Sequence, residues 1–200
     1  MLSALISEFH IYFENFINSL PGISGVLIRR LYYSKHIKCG ENLCLGQFVE
    51  ITDTTDIQSG NNCSIGRFSA LHAHGKGYII IGDNFSMNSN SQIGASEYGE
   101  IIIGNDVIIA QNVVLRASDH EHSDSRKAIR YQGHTGGKIV IRDGSWIGAN
   151  VVITRNVTIG EHTIIAAGAV ITRDIPDFVV AGGVPAKVLR NRDENIVNFH

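Results

Sequence analysis

From residue 39 onward, apolar residues recur along the chain at a step of six. Ile141, Ile147, Ile153, Ile159, Ile165 and Ile171 keep this spacing without a break. Four positions after successive members stand Ser145, Val151, Val157, Thr163 and Ala169, and one position after several stands a small residue, as in Gly148, Gly160 and Ala166. Upstream the step runs through Cys39, Leu45, Ile51, Ile57 and Cys63, and after a shift through Ile65 and Leu71. It then returns as Ile81, Met87, Ile93 and as Ile103, Ile109, Leu115. A period of six fits neither the helical 3.6 nor the strand alternation of 2. It fits a coil of short parallel strands, each too small to bury anything alone, stacked so that neighbouring coils share one narrow core. The aliphatic position points inward and the small position lets the chain turn. Gly or Asn falls where a corner needs positive φ.

Before residue 39 the period is helical. Leu2, Leu5, Ile6, Phe9, Tyr12, Phe13, Phe16, Ile17 and Leu20 form one stripe that Pro21-Gly22 ends. Residues 23–35 give a second short apolar piece carrying Arg29, Arg30 and Lys35. Both pieces are expected to pack on the body of the protein; the alternative is contact with an anionic membrane surface. Glu8 and Glu14 interrupt the first stripe and no cation precedes it, so neither a membrane span nor a signal peptide is expected. The expected location is cytoplasmic, at the inner face of the membrane if the helices touch it.

Composition sharpens this picture. There are 21 Gly against 3 Pro, and 18% of residues are charged where a globular average is about 25%. The coil explains both, because corners use glycine and about half of each strand faces the core. A net charge of −2 without a basic block argues against nucleic acid as a partner. Cys39, Cys44 and Cys63 form neither a CxxC pair nor an even disulfide set, and Cys39 and Cys63 fall on inward positions where buried apolar packing is expected rather than chemistry.

The repeated unit, aliphatic, small, two free, small or β-branched, free, resembles that of the hexapeptide-repeat acyltransferases over residues 39–190. The resemblance implies an all-β fold, a left-handed parallel β-helix of triangular section, usually trimeric. The hand comes from the family, because the general rule for parallel crossovers favours the right. A helical cap at 1–38 and a tail at 191–200 complete the expected organisation. Segment 101–120 (IIIGNDVIIAQNVVLRASDH) is similar to the stretch ending in the catalytic histidine of the maltose, galactoside and xenobiotic acetyltransferase branch, which includes sugar O-acetyltransferases of surface-polysaccharide synthesis. That similarity places the role on His120. A polar insertion at 116–138 follows, with twenty residues more than the coil needs before it resumes at Ile141. Long insertions in regular domains are usually functional, and this one is expected to project outward.

Transfer of an acetyl group from acetyl-CoA to a sugar hydroxyl needs a base, and a neutral imidazole is matched to that near pH 7. The developing oxyanion needs a donor, and the resemblance offers the Ala149 amide after Trp146-Ile147-Gly148. It also implies acceptor contacts at Asn88, with Asn90 as a weaker second and a corner role as the rival reading for both. Coenzyme contacts are implied at Trp146, Ala149, Ala167, Thr172, Arg173, Lys187 and Arg190, the cations serving the phosphates. Arg173 stands where the family usually has Lys. No acidic residue matches the acceptor-side aspartate expected near residue 96, although Glu97 is close. His74, with His72 in ALHAHG, is a further acceptor-side candidate, whereas His122, His134 and His162 read more simply as solvated loop histidines.

No metal is expected. Three other readings stand beside the O-acetyltransferase: an N-acetyltransferase on an amino sugar, a γ-carbonic-anhydrase-like hydratase drawing on His72, His74, His120 and His122, and a non-catalytic scaffold. The His-x-His spacings do not match the hydratase pattern, and a scaffold gives no reason for the insertion around His120.

Overall fold

A computed structural model describes residues 2–52 and 54–193, with side chains described from residue 8 onward except at 53 and 54. Two helices, α1 (Leu2–Ser19) and α2 (Gly22–Tyr33), precede a parallel β-helix whose strands run from Lys38–Cys39 to Ala186–Asn191. Three sheets form its faces. The first holds six strands ending at Val157–Ile159, the second eight and the third six, each coil contributing one strand to each face. All neighbours within a face are parallel except the last strand of the second, Ala186–Asn191, which folds back antiparallel on Val179–Gly183.

Register shows where the period breaks. On the first face Cys39 pairs with Ser59, Ser59 with Ile81, Ile81 with Ile103 and Ile103 with Ile141, so coils are 20, 22, 22 and 38 residues long. The next coil is 18 residues, Ile141 to Ile159. The inward ladder therefore continues from Ile51 to Ser59. Ile57 and Cys63 belong to a second inward column beside it, with Ile79 and Phe85 one coil on. The shift expected after Cys63 lies instead between Thr52 and Ile57, where Thr54–Asp56 make a short 3₁₀ turn. Ser59 is an irregular rung: its Oγ is buried without a partner among the described residues.

The core is one continuous column. Ile79, Ile101, Ile109, Ile139, Ile147, Ile153 and Ile165 are fully buried. Burying such a side chain is worth about 1.5–3 kcal/mol over leaving it exposed. Corners are built from asparagine. Asn42, Asn62, Asn84 and Asp106 have φ near 57° at one edge, and Asn90, Asn112 and Asn150 near 59° at another. Their side chains bond up the stack: Asn42 donates to Asn62 at 3.0 Å, Asn62 to Asn84 at 3.1 Å, Asn90 to Asn112 at 2.7 Å and Asn112 to Asn150 at 3.0 Å.

The helices depart from expectation. α2 docks through Arg29, which is 1% exposed and donates to the main-chain oxygens of Leu45 (2.9 Å), Ile17 (3.1 Å) and Leu20 (2.7 Å). This removes Arg29 from any membrane surface. α1 buries Ile17 and Asn18, yet Phe9, Tyr12, Phe13 and Phe16 face outward, as do Ile23, Leu27 and Leu31 of α2. The apolar stripe thus packs on the body only at its C-terminal end, through Ile17, and not along its length as expected; Leu2, Leu5 and Ile6 lie outside the described side chains. Among the described residues, no helix is long and apolar enough to cross a membrane. Of the tail at 191–200, residues 194–200 lie outside the described residues.

Candidate active site

Extra residues accumulate at one edge. The chain passes from the third face to the first at 53–56, 75–77, 97–99, 117–137, 154–156 and 172–174, and every coil-length difference falls in these passages. Because the coils stack, loops separate in sequence lie one above another.

The insertion is ordered. Ser118–His120 pairs antiparallel with His134–Gly136, in the register Ser118 with Gly136, Asp119 with Thr135, and His120 with His134. Its outer part is held by Gln132, whose side chain accepts from the Asp124 N–H at 3.0 Å and donates to the carbonyls of Asp124 and Lys127. The Glu121 carboxylate accepts the N–H groups of His122 and Ser123, which hold its carboxyl below the usual range. Two contacts fix the hairpin to the coil. Asp119 receives Arg155 Nε at 2.7 Å from the passage above. Below, Gly136 lies against the Ser96–Gly99 turn so closely that a Cβ would strike the main chain of Glu97, Tyr98 and Gly99. Glu97 and Tyr98 both adopt positive φ, 47° and 69°, while Gly99 N–H donates to Ser96 O at 2.8 Å. Two adjacent non-glycine residues in this region are strained, a feature that clusters at functional sites.

Between hairpin and coil lies a cavity of about 430 Å³. The two coils below supply His74 and, nearer, Ser96 and Glu97; the upper wall is Arg116, Ser118, Asp119, His120 and His134. The His120 and His134 rings stand 4.3 Å apart between centroids, tilted by 37°. His120 is exposed into this space and can meet a ligand hydroxyl. A second cavity of about 400 Å³ lies between α1 and the first coil, lined by Glu14, Asn18 and Tyr33 among others, where the Tyr33 hydroxyl donates to Glu14 at 3.1 Å and no histidine enters the lining.

His120 and His74, both expected from sequence, meet here. His72 and His74 stack in parallel, 6.2 Å between centroids, and His72 Nδ1 lies 3.0 Å from Thr52 Oγ1. His122 turns back to the carbonyl of His120 at 3.1 Å. His162 has φ 50° at a corner and stacks on Phe178. Among the described residues, no group of three or more His, Cys, Asp or Glu converges as a metal site.

The other expected residues lie elsewhere. Asn88, Asn90, Ala149 and Ala167 occupy the edge between second and third faces, where Ala149 stacks in register on Ala167 while Asn88 falls in the column of Gly148 and Asn90 in that of Asn150. Asn90 is an ordinary corner there, its amide engaged with Asn112; Asn88 is exposed at the end of strand Ser86–Met87. The Gly148 Cα leaves room for the Ala167 backbone, where a Cβ would come within 2.7 Å of its nitrogen. The Ala149 and Ala167 N–H groups donate to no acceptor among the described residues. Trp146 is half exposed on the second face, and Lys187 and Arg190 lie on its terminal antiparallel strand. Thr172 and Arg173 are exposed on the third-to-first edge instead, away from Ala149. Sequence reading missed Arg116 and Asp119, noted Glu97 only as close to the expected acidic position, and set His134 aside. The signal that would have found them is positional: all lie in or beside the passages whose lengths vary.

Comparisons with known proteins agree with this architecture. Residues 138–173 match the family described as bacterial transferase hexapeptide (six repeats). The chain is 39% identical over 92 residues to a galactoside O-acetyltransferase of Escherichia coli (strain K12), covering 46% of this chain and 44% of that protein. It is 46% identical over 52 residues to a dTDP-3-amino-3,6-dideoxy-alpha-D-galactopyranose 3-N-acetyltransferase of Aneurinibacillus thermoaerophilus, 26% of this chain and 27% of that one. The chain thus spans less than half the length of these curated relatives. Among solved structures, a hexapeptide-repeat containing acetyltransferase from Vibrio cholerae superposes with a TM-score of 0.63 at 25% identity, covering 88% of this chain and 84% of that one. The N-acyltransferase AntD from Bacillus cereus, solved with dTDP-4-amino-4,6-dideoxyglucose and coenzyme A, shares the fold with a TM-score of 0.72 at 22% identity, over 84% of this chain and 91% of that one.

Proposed function

We propose that this chain, whose residues 138–173 match the bacterial transferase hexapeptide family, transfers an acetyl group from acetyl-CoA to a hydroxyl of a sugar or glycan, in the synthesis of a surface polysaccharide. The observation that carries this reading is the cavity in which His120, His74 and Glu97 converge beneath an ordered insertion. A hydroxyl bound there can give its proton to an imidazole nitrogen of His120 as its oxygen attacks the acetyl carbonyl. Coenzyme A leaves as the thiolate, with the electron pair of the broken thioester bond, and takes up the proton that His120 received. No covalent enzyme intermediate is needed.

The Ala149 N–H, free to donate, suits the developing oxyanion, and with Trp146, Ala167, Lys187 and Arg190 it makes a contiguous track for the coenzyme along the second face and its edge. This track and the His120 cavity are on different edges of one chain. Self-association as a trimer, in which the hairpin of one copy covers the track of the next, unites them, and the outward stripe of α1 and α2 supplies apolar surface for such contact.

The test is His120→Ala. Its kcat for acetyl transfer is expected to fall by at least about a hundredfold with the fold unchanged. Near-normal turnover overturns the assignment. Relatives of this chain include both O- and N-acetyltransferases, so matched acceptors bearing a hydroxyl or an amine at the same position decide which nucleophile is used.

A further inference from the structure

The cavity holds a cation for which general base chemistry has no use. Arg116 ends the strand Val114–Arg116 on the third face, where the register places Gly94 directly beneath it. The Arg116 side chain folds down onto that glycine: a Cβ at Gly94 would meet three atoms of the arginine, with Cζ at 3.1 Å and Cδ at 3.3 Å, and nothing else as near. Gly94 is thus a slot that lets the guanidinium lie low against the wall of the cavity.

The carboxylates around it are held elsewhere. Asp119 is engaged by Arg155, and the Glu97 carboxylate rests over Gly75, about 3.3 Å from where a Cβ would stand. Among the described residues no carboxylate pairs with Arg116. A guanidinium presents donors only, in a planar fork whose natural complement is a carboxylate or phosphate, and Glu97 presents acceptors only, suited to sugar hydroxyls.

We propose that Arg116 selects the acceptor, binding an anionic group, a carboxylate or a phosphate, on the sugar whose hydroxyl faces His120. This rests on the acetyltransferase reading of the same cavity. It narrows the acceptor to an acidic sugar or a sugar carrying a phosphate, and makes a neutral glycoside a poor substrate.

Binding of methyl galacturonoside, galactose 1-phosphate and neutral methyl galactoside is measured by calorimetry for the wild type, Arg116→Gln, Gly94→Ala and His120→Ala, with Tm recorded for each. The wild type is expected to bind at least one anionic sugar about tenfold more tightly than the neutral one, within what charge-assisted hydrogen bonds provide. Carboxylate against phosphate identifies the source of the anion. Arg116→Gln is expected to abolish the preference, Gly94→Ala to weaken it by pushing the guanidinium out of its slot, and His120→Ala to keep it. Absence of any preference in the wild type, or its survival in Arg116→Gln, overturns the proposal. Loss of transfer in His120→Ala is scored separately. A binding preference without acetyl transfer to any acceptor counts against the acetyltransferase reading and leaves Arg116 as the anion-binding residue.

Discussion

Asparagine at a coil corner serves the backbone and the stack together. Asn112 has φ 58°, a region that most L residues enter only under strain, and its amide receives Asn90 below and donates to Asn150 above. Phe48, Phe68 and Phe178 occupy corners without that compensation, at φ 56°, 59° and 58°, and recover some of it by stacking, with Phe48 and Phe68 rings 5.2 Å apart and Phe178 5.7 Å from His162. Substitution of Asn112 separates the two effects. Asn112→Ala is expected to lose about 1–2 kcal/mol, from left-handed strain and the broken ladder, and Asn112→Gly less, because glycine keeps the conformation. Urea unfolding measures both. Equal stability of Asn112→Ala and wild type would contradict the ladder's contribution. The same geometry explains why Asn90 could not be assigned from its motif: a corner residue and a ligand contact call for the same amino acid, and the hydrogen bond to Asn112 is visible only when coils are stacked.

At the scale of elements, the insertion matters through how it is clamped. Its strands pair over Ser118–His120 and His134–Gly136, main-chain hydrogen bonds from Ala117 N–H to Gly94 O and from Glu100 N–H to Gly137 O join its ends to the coil, and beyond these ends the clamp among the described residues is one ion pair and one glycine contact. Exposed ion pairs contribute little, about 0–1 kcal/mol, so the contact at Gly136 carries most of the positioning. Gly136→Val is therefore expected to lift the hairpin from the Ser96–Gly99 turn and lower kcat/KM for acetyl transfer by about tenfold or more, since a misplacement of about 1 Å can reduce rate a hundredfold. Tm should change little, because the hairpin lies outside the isoleucine column. Steady-state kinetics beside thermal unfolding test this, and an unchanged kcat/KM would show that the turn does not place His120. The helices carry the opposite lesson. The stripe through Phe9, Tyr12, Phe13 and Phe16 is plain in the sequence, but periodicity marks an apolar face without telling what covers it, and among the described residues it stays largely exposed, with Phe13 meeting Tyr32 edge-on.

For the whole molecule the informative feature is the separation of the two halves of the proposed site. His120 projects from the third-to-first edge, whereas the free N–H of Ala149 lies on the second-to-third edge of the same chain. If neighbouring copies close the site, two inactive variants should repair each other. His120→Ala lacks the base, and Ala149→Pro lacks the donor. Refolded together, they form mixed assemblies in which roughly a quarter of the interfaces join an intact edge to an intact edge, if chains assort at random. Activity of the mixture well above either parent alone is the expected result, and none above the parents would place the whole site within one chain.

What the chain itself determined is the repeat, because each inward isoleucine and each corner asparagine answers to a local requirement restated every six residues. The glycine content followed from it, whereas His120 was marked by the similarity of segment 101–120 to a family motif, at the point where the repeat is interrupted. The tertiary structure alone decided which residues join His120. The breaks after Ile51, Leu71, Ile93 and Leu115 are far apart in sequence, and only stacking in register puts them on one edge. Arg116 over Gly94, Glu97 over Gly75 and His134 beside His120 are contacts between coils or across the hairpin, set by the accumulated length of the passages and invisible to any local pattern.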